Sequence, residues 1–230
     1  MSYGLEGVEY ILKRMSNVES PHLISTAPMS CVGILLAAGE GRRFAQQAPG
    51  ADKLLARLAD GRYVAETSAA NLHRSVDWVV AVVRPGRPAL RACLEMSGCH
   101  VLETELASQG MGASLAAAAH YLQARDPEQL PAVVVALADM PWIRRDTYEK
   151  VKAALHEAPV VAPVRHGRRG HPVGFRASCL PELAALSGDQ GARGLFDRHP
   201  VQWVDVSDDG VLHDIDVPAD LVGPPDLDSL

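Results

Sequence analysis

The chain alternates short, wholly apolar runs with longer segments in which apolar residues recur every three or four positions. Val32-Gly33-Ile34-Leu35-Leu36, Trp78-Val79-Val80-Ala81-Val82-Val83 and Ala132-Val133-Val134-Val135-Ala136-Leu137 are continuous runs of this kind. They predict strands covered on both faces, as in a parallel sheet. Shorter strands are predicted at His100 to Glu103, Val160 to Val164, Val173 to Phe175 and Val201 to Val206. Helices are predicted at Tyr63 to Arg74, Pro88 to Ser97, Gly112 to Ala124 and Arg145 to His156, with two short ones around Pro181 to Leu186 and Gly191 to Arg198. Repeated strand–helix alternation predicts an α/β fold with a mainly parallel central sheet, helices on its flanks and right-handed crossovers.

In such sheets ligands gather beyond the carboxyl ends of the strands, which singles out the segments after Leu36, after Leu102 and after Leu137. No internal repeat or low-complexity linker interrupts the pattern, so one domain is expected over residues 31–222, with 223–230 as a flexible tail. Residues 1–30 read as an N-terminal extension. Leu5, Val8, Leu12 and Met15 have helical spacing, and a loop containing Pro21 and Pro28 follows. No chemistry is assigned to it.

Composition narrows the function classes. A chain of 230 residues with 47% hydrophobic and 22% charged residues has ordinary globular composition. Its net charge of −6, without any long lysine or arginine run, argues against a nucleic-acid binder. Cys31, Cys93, Cys99 and Cys179 form no CxxC pair, so reduced thiols are expected. No apolar run is long enough to span a bilayer, and Glu6, Glu9, Lys13 and Arg14 break up any signal-like core. The expectation is a cytoplasmic protein without a membrane partner.

Several motifs carry chemistry. Leu36-Ala37-Ala38-Gly39-Glu40-Gly41-Arg42-Arg43-Phe44 is a glycine turn after the first strand, where residues lacking a Cβ let backbone N–H groups approach a phosphate. Arg42, Arg43 and the later Lys53 supply cations. The turn is neither a Walker loop nor a dinucleotide fingerprint, since no Gly-Lys-Ser/Thr follows and Phe44 stands where a third glycine would be. Asp139, at the end of an apolar strand, can hold Mg²⁺ or cap the next helix. Asp214 and Asp216 alternate and share a face if extended, which suits a metal, whereas Asp220 after Pro218 reads as a helix-start residue.

Gly110, Gly112 and Ser114 mark a helix N-terminus, either a phosphate site or a tight entry loop. The basic stretch Arg165 to Pro172, containing His171, can receive an anionic second substrate or form a solvated hairpin. Gly188-Asp189-Gln190-Gly191-Ala192-Arg193 is either a second-substrate loop or a plain helix start.

In order, the elements LAAGEGRRF, DKLL, QGMGASL, LADMP, GHPVGF, GDQGAR and DIDVPADL resemble those of the molybdopterin nucleotidyltransferases, most of all the molybdenum cofactor cytidylyltransferases. They span nearly everything from Val32 to Leu221. The resemblance implies a single Rossmann-like, GT-A-like nucleotidyltransferase domain. It implies nucleotide binding by Leu36, Ala37, Ala38, Gly39, Gly41, Arg43, Lys53, Gly110, Gly112 and Ser114, with Arg43, Lys53 and Asp139 catalytic. It further implies Mg²⁺ on Asp139 and Asp216, with Asp214 in reserve, and a pterin side at His171, Asp189 and Arg193. In that family LAAG goes with CTP and LAGG with GTP, so Ala38 implies cytidine. The implied reaction is CMP transfer from CTP to molybdopterin with release of pyrophosphate, and a molybdenum enzyme or its chaperone is the implied protein partner. A sugar-phosphate or phospholactate nucleotidyltransferase and a non-catalytic cofactor carrier are the alternatives. Two departures stand out: Ala45 to Asp52 lengthens the step to Lys53, and residues 1–30 have no counterpart.

Overall fold

The computed structural model describes residues 31–125 and 132–224, so the helix expected near Leu5 to Met15 and most of the tail lie outside the described residues. Eight strands form one sheet: β1 (Val32–Leu36), β2 (Trp78–Val83), β3 (His100–Glu103), β4 (Ala132–Leu137), β5 (Val160–Arg165), β6 (Arg168–Arg169), β7 (Val173–Arg176) and β8 (Val201–Asp205). Their order is β3-β2-β1-β4-β7-β5-β6, with β8 on the other side of β5. β1 to β4 are mutually parallel, and β8 is parallel to β5. β7 enters antiparallel between β4 and β5, so the sheet is mixed but mostly parallel.

The helices are α1 (Arg42–Gln47), α2 (Val64–His73), α3 (Pro88–Met96), α4 (Met111–Gln123), α5 (Arg145–Ala154), α6 (Leu180–Ala184) and α7 (Leu195–Arg198). Alternation along β1 divides the core. Leu35 packs with Phe44 of α1, Leu72 of α2, Leu94 of α3 and Tyr148 of α5 on one face. Val32 and Ile34 pack with Leu115 and Leu122 of α4, Leu183 of α6 and Leu195 of α7 on the other. Burial on both faces is why these strands need apolar residues at every position. Gly33 has a packing reason of its own, since a Cβ there would lie 2.8 Å from Leu72 Cδ2. The four cysteines are buried free thiols. Among the described residues, no helix is long and apolar enough to cross a membrane.

Register levels the carboxyl ends of the central strands. Leu36 stands opposite both Val82 and Leu137. The Ala37 N–H donates to the Val82 carbonyl at 2.9 Å, and the Ala138 N–H to the Leu36 carbonyl at 3.0 Å. The chain therefore leaves β1, β2 and β4 at one edge, where their loops converge.

Candidate active site

The glycine turn leaves β1 at this edge. Leu36 and Ala37 are core residues and Ala38 is half-buried, so the turn proper begins at Gly39. A Cβ on Gly39 would meet nothing within 4 Å, so the space beside it is open. Gly41 adopts φ 61°, which favours glycine, and starts α1. A Cβ on Gly41 would come within 3.2 Å of Lys53 Cγ, so this glycine also makes room for the lysine stem.

Lys53 lies in a short 3-10 turn, Lys53–Leu55, whose start is capped by Asp52. The lengthened step to it is partly filled by α1, which takes up Ala45 to Gln47. Its ammonium donates to Asp139 Oδ2 at 2.6 Å and to the Ile215 carbonyl at 3.0 Å, and stands 3.8 Å from Asp216 Oδ1. The lysine side chain is only 8% exposed and that of Asp139 19%. Arg43 Nη1, on α1, donates to Asp216 Oδ2 at 2.6 Å. Residues far apart in sequence thus form one cluster of two cations and two carboxylates.

Backbone bonds hold this cluster. The Ile215 N–H donates to the Asp139 carbonyl at 2.9 Å, binding the two acidic segments side by side. The Asp220 carboxylate accepts from the Asp216 and Val217 N–H groups, both at 2.8 Å, which is the helix-start role read for it in the sequence. From α2, the Ser68 hydroxyl donates to the Ala138 carbonyl and Asn71 Nδ2 to the Pro141 carbonyl. Burial first, then the charges of Asp139 and Asp216, push the Asp214 carboxyl above its ordinary range.

The residues expected on the second-substrate side fall into two groups. Asp189 belongs to a loop that sits on the start of α4. The Gly112 N–H donates to the Gly188 carbonyl at 2.7 Å, and a Cβ on Gly110 would clash with Asp189 Oδ1 and the Gly188 backbone. Asp189 is also near enough to Arg42 for its charge to act on that guanidinium. Ser114 is buried and donates to the Gly110 carbonyl within its own helix turn. Arg193 is exposed, and no side-chain hydrogen bond or ion pair joins it to this cluster among the described residues.

His171 forms the second group. Its backbone N–H donates to the Val211 carbonyl at 3.0 Å, and its ring Nδ1 is buried without a partner. Burial, reinforced by the charge of Arg169, lowers its pKa to about 4, against opposing effects of the Val135 carbonyl and Asp214. The imidazole is therefore neutral at pH 7. The basic stretch before it forms the β5–β6 hairpin, turning at His166 and Gly167, with Arg165 paired to Asp209 at 2.7 Å.

Two arginines after β2 escaped the sequence reading. Arg87 joins Asp52 to the glycine turn: its guanidinium contacts the Asp52 carboxylate and donates from Nη1 to the Gly39 carbonyl at 3.3 Å. Arg84 Nη1 donates to Glu40 Oε1 at 3.2 Å. The carboxyl-end rule that picked out three loops applies equally to Arg84-Pro85-Gly86-Arg87-Pro88, which its prolines and glycine make look like a mere turn.

Two carboxylates at the mouth of the turn match the donor set Mg²⁺ prefers, which is one or two carboxylates completed by phosphate oxygens and water. Among the described residues, no group of three or more histidine, cysteine or carboxylate side chains is arranged to hold a metal by itself. The fit is therefore to a metal whose remaining ligands come from outside the protein.

Comparison with known proteins agrees with this architecture. A model of the MobA-like NTP transferase domain matches residues 33–203. The purine catabolism protein PucB of Bacillus subtilis is 27% identical over 217 residues, covering 87% of this chain and 95% of that protein. Nicotine blue oxidoreductase of Paenarthrobacter nicotinovorans is 28% identical over 200 residues, covering 82% and 93%. Among solved structures, Rv0371c of Mycobacterium tuberculosis superposes with a TM-score of 0.69 at 26% identity, covering 83% of this chain and 95% of that one.

Proposed function

The chain belongs to the MobA-like NTP transferase family, and from that premise we propose that it transfers CMP from CTP to the terminal phosphate of molybdopterin, releasing pyrophosphate. The observation that carries the reading is the buried Lys53 ammonium, bonded to Asp139 and 3.8 Å from Asp216, beneath an open glycine turn. A buried cation with two acids at a strand edge suits a substrate that brings both phosphates and a divalent ion.

The acceptor's phosphate oxygen attacks the α-phosphorus of CTP. The bond from that phosphorus to the bridging oxygen breaks, and pyrophosphate departs on the opposite side. Asp139 and Asp216 would hold Mg²⁺, which when bound offsets charge on the phosphate oxygens. Lys53 keeps a third N–H for the nucleotide after serving Asp139 and Ile215. Arg43, held near the mouth by Asp216, faces the departing pyrophosphate. An acceptor phosphate already ionised at neutral pH needs no general base. His171, neutral at pH 7, would offer the pterin ring a hydrogen-bonding group rather than a charge. Asp189 and Arg193 would complete that side, and Ala38 favours cytidine through the LAAG resemblance.

The test is a pyrophosphate-release assay with molybdopterin as acceptor, comparing CTP with GTP. Release with CTP at a kcat/KM at least tenfold above that with GTP supports the proposal. Release only with a sugar phosphate or phospholactate overturns the acceptor, and tight pterin binding without release supports a carrier.

A further inference from the structure

Glu40 sits at the tip of the glycine turn with its carboxylate held from two sides. Arg42 Nε contacts one oxygen, and Arg84 Nη1 donates to the other at 3.2 Å. Guanidinium groups recognise carboxylates and phosphates with the same planar fork. Two of them converging on one carboxylate, beside the open space at Gly39, form a seat for an anion that the protein fills with its own side chain.

The two arginines differ in how firmly they are placed. Arg42 is 81% exposed at the side chain, whereas Arg84 is 22% exposed and its Nε is buried. Arg84 follows β2 directly, and the pairing of Val82 with Leu36 brings it level with the glycine turn. Arg84 is therefore the fixed half of the seat. The carboxyl of Glu40 is held below its ordinary range, by its hydrogen bond to Arg42 first, so it is ionised at neutral pH.

We propose that Glu40 is an internal stand-in for the polyphosphate of the nucleotide, and that Arg84 is a further phosphate-binding residue. When a nucleoside triphosphate enters, the Glu40 carboxylate swings out and oxygens of the β- or γ-phosphate take its place between Arg42 and Arg84. The exchange is between anions, and no covalent bond changes. It favours ligands with several phosphate charges, because a singly charged ligand gains little over the carboxylate it displaces. This inference rests on the nucleotide-binding reading above and adds a residue and a competitor to it.

The experiment measures the Kd of tripolyphosphate and of CTP by calorimetry, with KM and kcat for pyrophosphate release, in wild type, Arg84→Ala, Arg84→Lys, Glu40→Gln and Glu40→Gln/Arg84→Ala. Arg84→Ala should weaken tripolyphosphate and raise the KM for CTP about tenfold, with a smaller change in kcat. Arg84→Lys should recover part of the loss. Glu40→Gln should tighten tripolyphosphate about threefold, and that gain should vanish in the double variant because the seat is incomplete. If Arg84→Ala does not fold, Arg84→Lys and Glu40→Gln carry the test. A wild type that binds neither ligand and releases no pyrophosphate overturns the nucleotide reading itself. A wild type that binds CTP, with less than twofold change in Arg84→Lys and Arg84→Ala or with weaker binding in Glu40→Gln, overturns this inference and leaves that reading standing.

Discussion

Removing the Asp139 carboxylate should destabilise the protein mainly through what it leaves behind. Lys53 is 8% exposed at its side chain and donates to Asp139 at 2.6 Å. Without that acceptor its ammonium keeps the Ile215 carbonyl at 3.0 Å and the Asp216 carboxylate at 3.8 Å. Breaking one partner of a fully buried pair costs about 3–5 kcal/mol. The partners that remain, and the 19% exposure of Asp139, bring the expected cost of Asp139→Ala down to about 2–3 kcal/mol. For a chain of this size that lowers Tm by roughly 5–10 °C. Lys53→Met should cost about 2 kcal/mol, because it leaves the Ile215 carbonyl without this donor and Asp139, Asp214 and Asp216 without the cation. The double variant has neither an orphaned cation nor an orphaned acid at that contact. It should be more stable than the sum of the single losses implies, by about 1.5–3 kcal/mol. Urea unfolding of the four proteins at pH 7 measures the cycle. Losses that add to within about 0.5 kcal/mol would refute the claim that the two side chains form one buried unit.

Stability should also fall on the acid side of neutrality through His171. Its folded pKa of about 4 lies below the unfolded value near 6.5, so between these pH values the unfolded chain binds the extra proton. The stabilisation is therefore complete above pH 6.5 and declines toward pH 4, by at most about 3 kcal/mol, and urea unfolding of His171→Asn across this window should lack that slope. Gly112→Ala would place a Cβ 2.7 Å from the Ser187 carbonyl and 2.8 Å from that of Gly188. Backbone cannot yield as a side-chain tip would, so a loss of about 2 kcal/mol and faster proteolysis within 187–191 are expected, and an unchanged melt would count against this packing.

What could be read from the chain depended on how many faces of an element are buried. β1, β2 and β4 stand at the residues their patterns predicted, because burial on both sides calls for apolar residues throughout. The flanking helices differ from expectation by a residue or two at their ends, where capping rather than periodicity decides, except α7, which starts four residues later than expected. α1 was not legible, since Phe44 is its one buried side chain and no polar side chain caps it. The direction of β7 was not legible either, because an apolar run says nothing about strand polarity. The turn-rich excursion before it is what returns the chain to insert β7 between β4 and β5.

At the site, residue type and position singled out Lys53, Asp139 and the pairs Arg42–Arg43 and Asp214–Asp216; the family resemblance pointed within those pairs to Arg43 and Asp216, and the fold brings Arg43, Lys53, Asp139 and Asp216 together. Arg84, Arg87, Ser68 and Asn71 were hidden. Their contacts to the site run mostly to backbone carbonyls or to the turn itself, and depend on sheet register that local pattern does not contain.

Nucleotidyl transfer proposed at the Lys53–Asp139–Asp216 cluster can be followed as label from α-phosphate-labelled CTP moving into molybdopterin, with Mg²⁺, in wild type and in Asp139→Asn. Label should reach the acceptor with wild type and fall by at least about a hundredfold in the variant, with the variant still folded. No transfer by wild type, or equal transfer by both proteins, would contradict it.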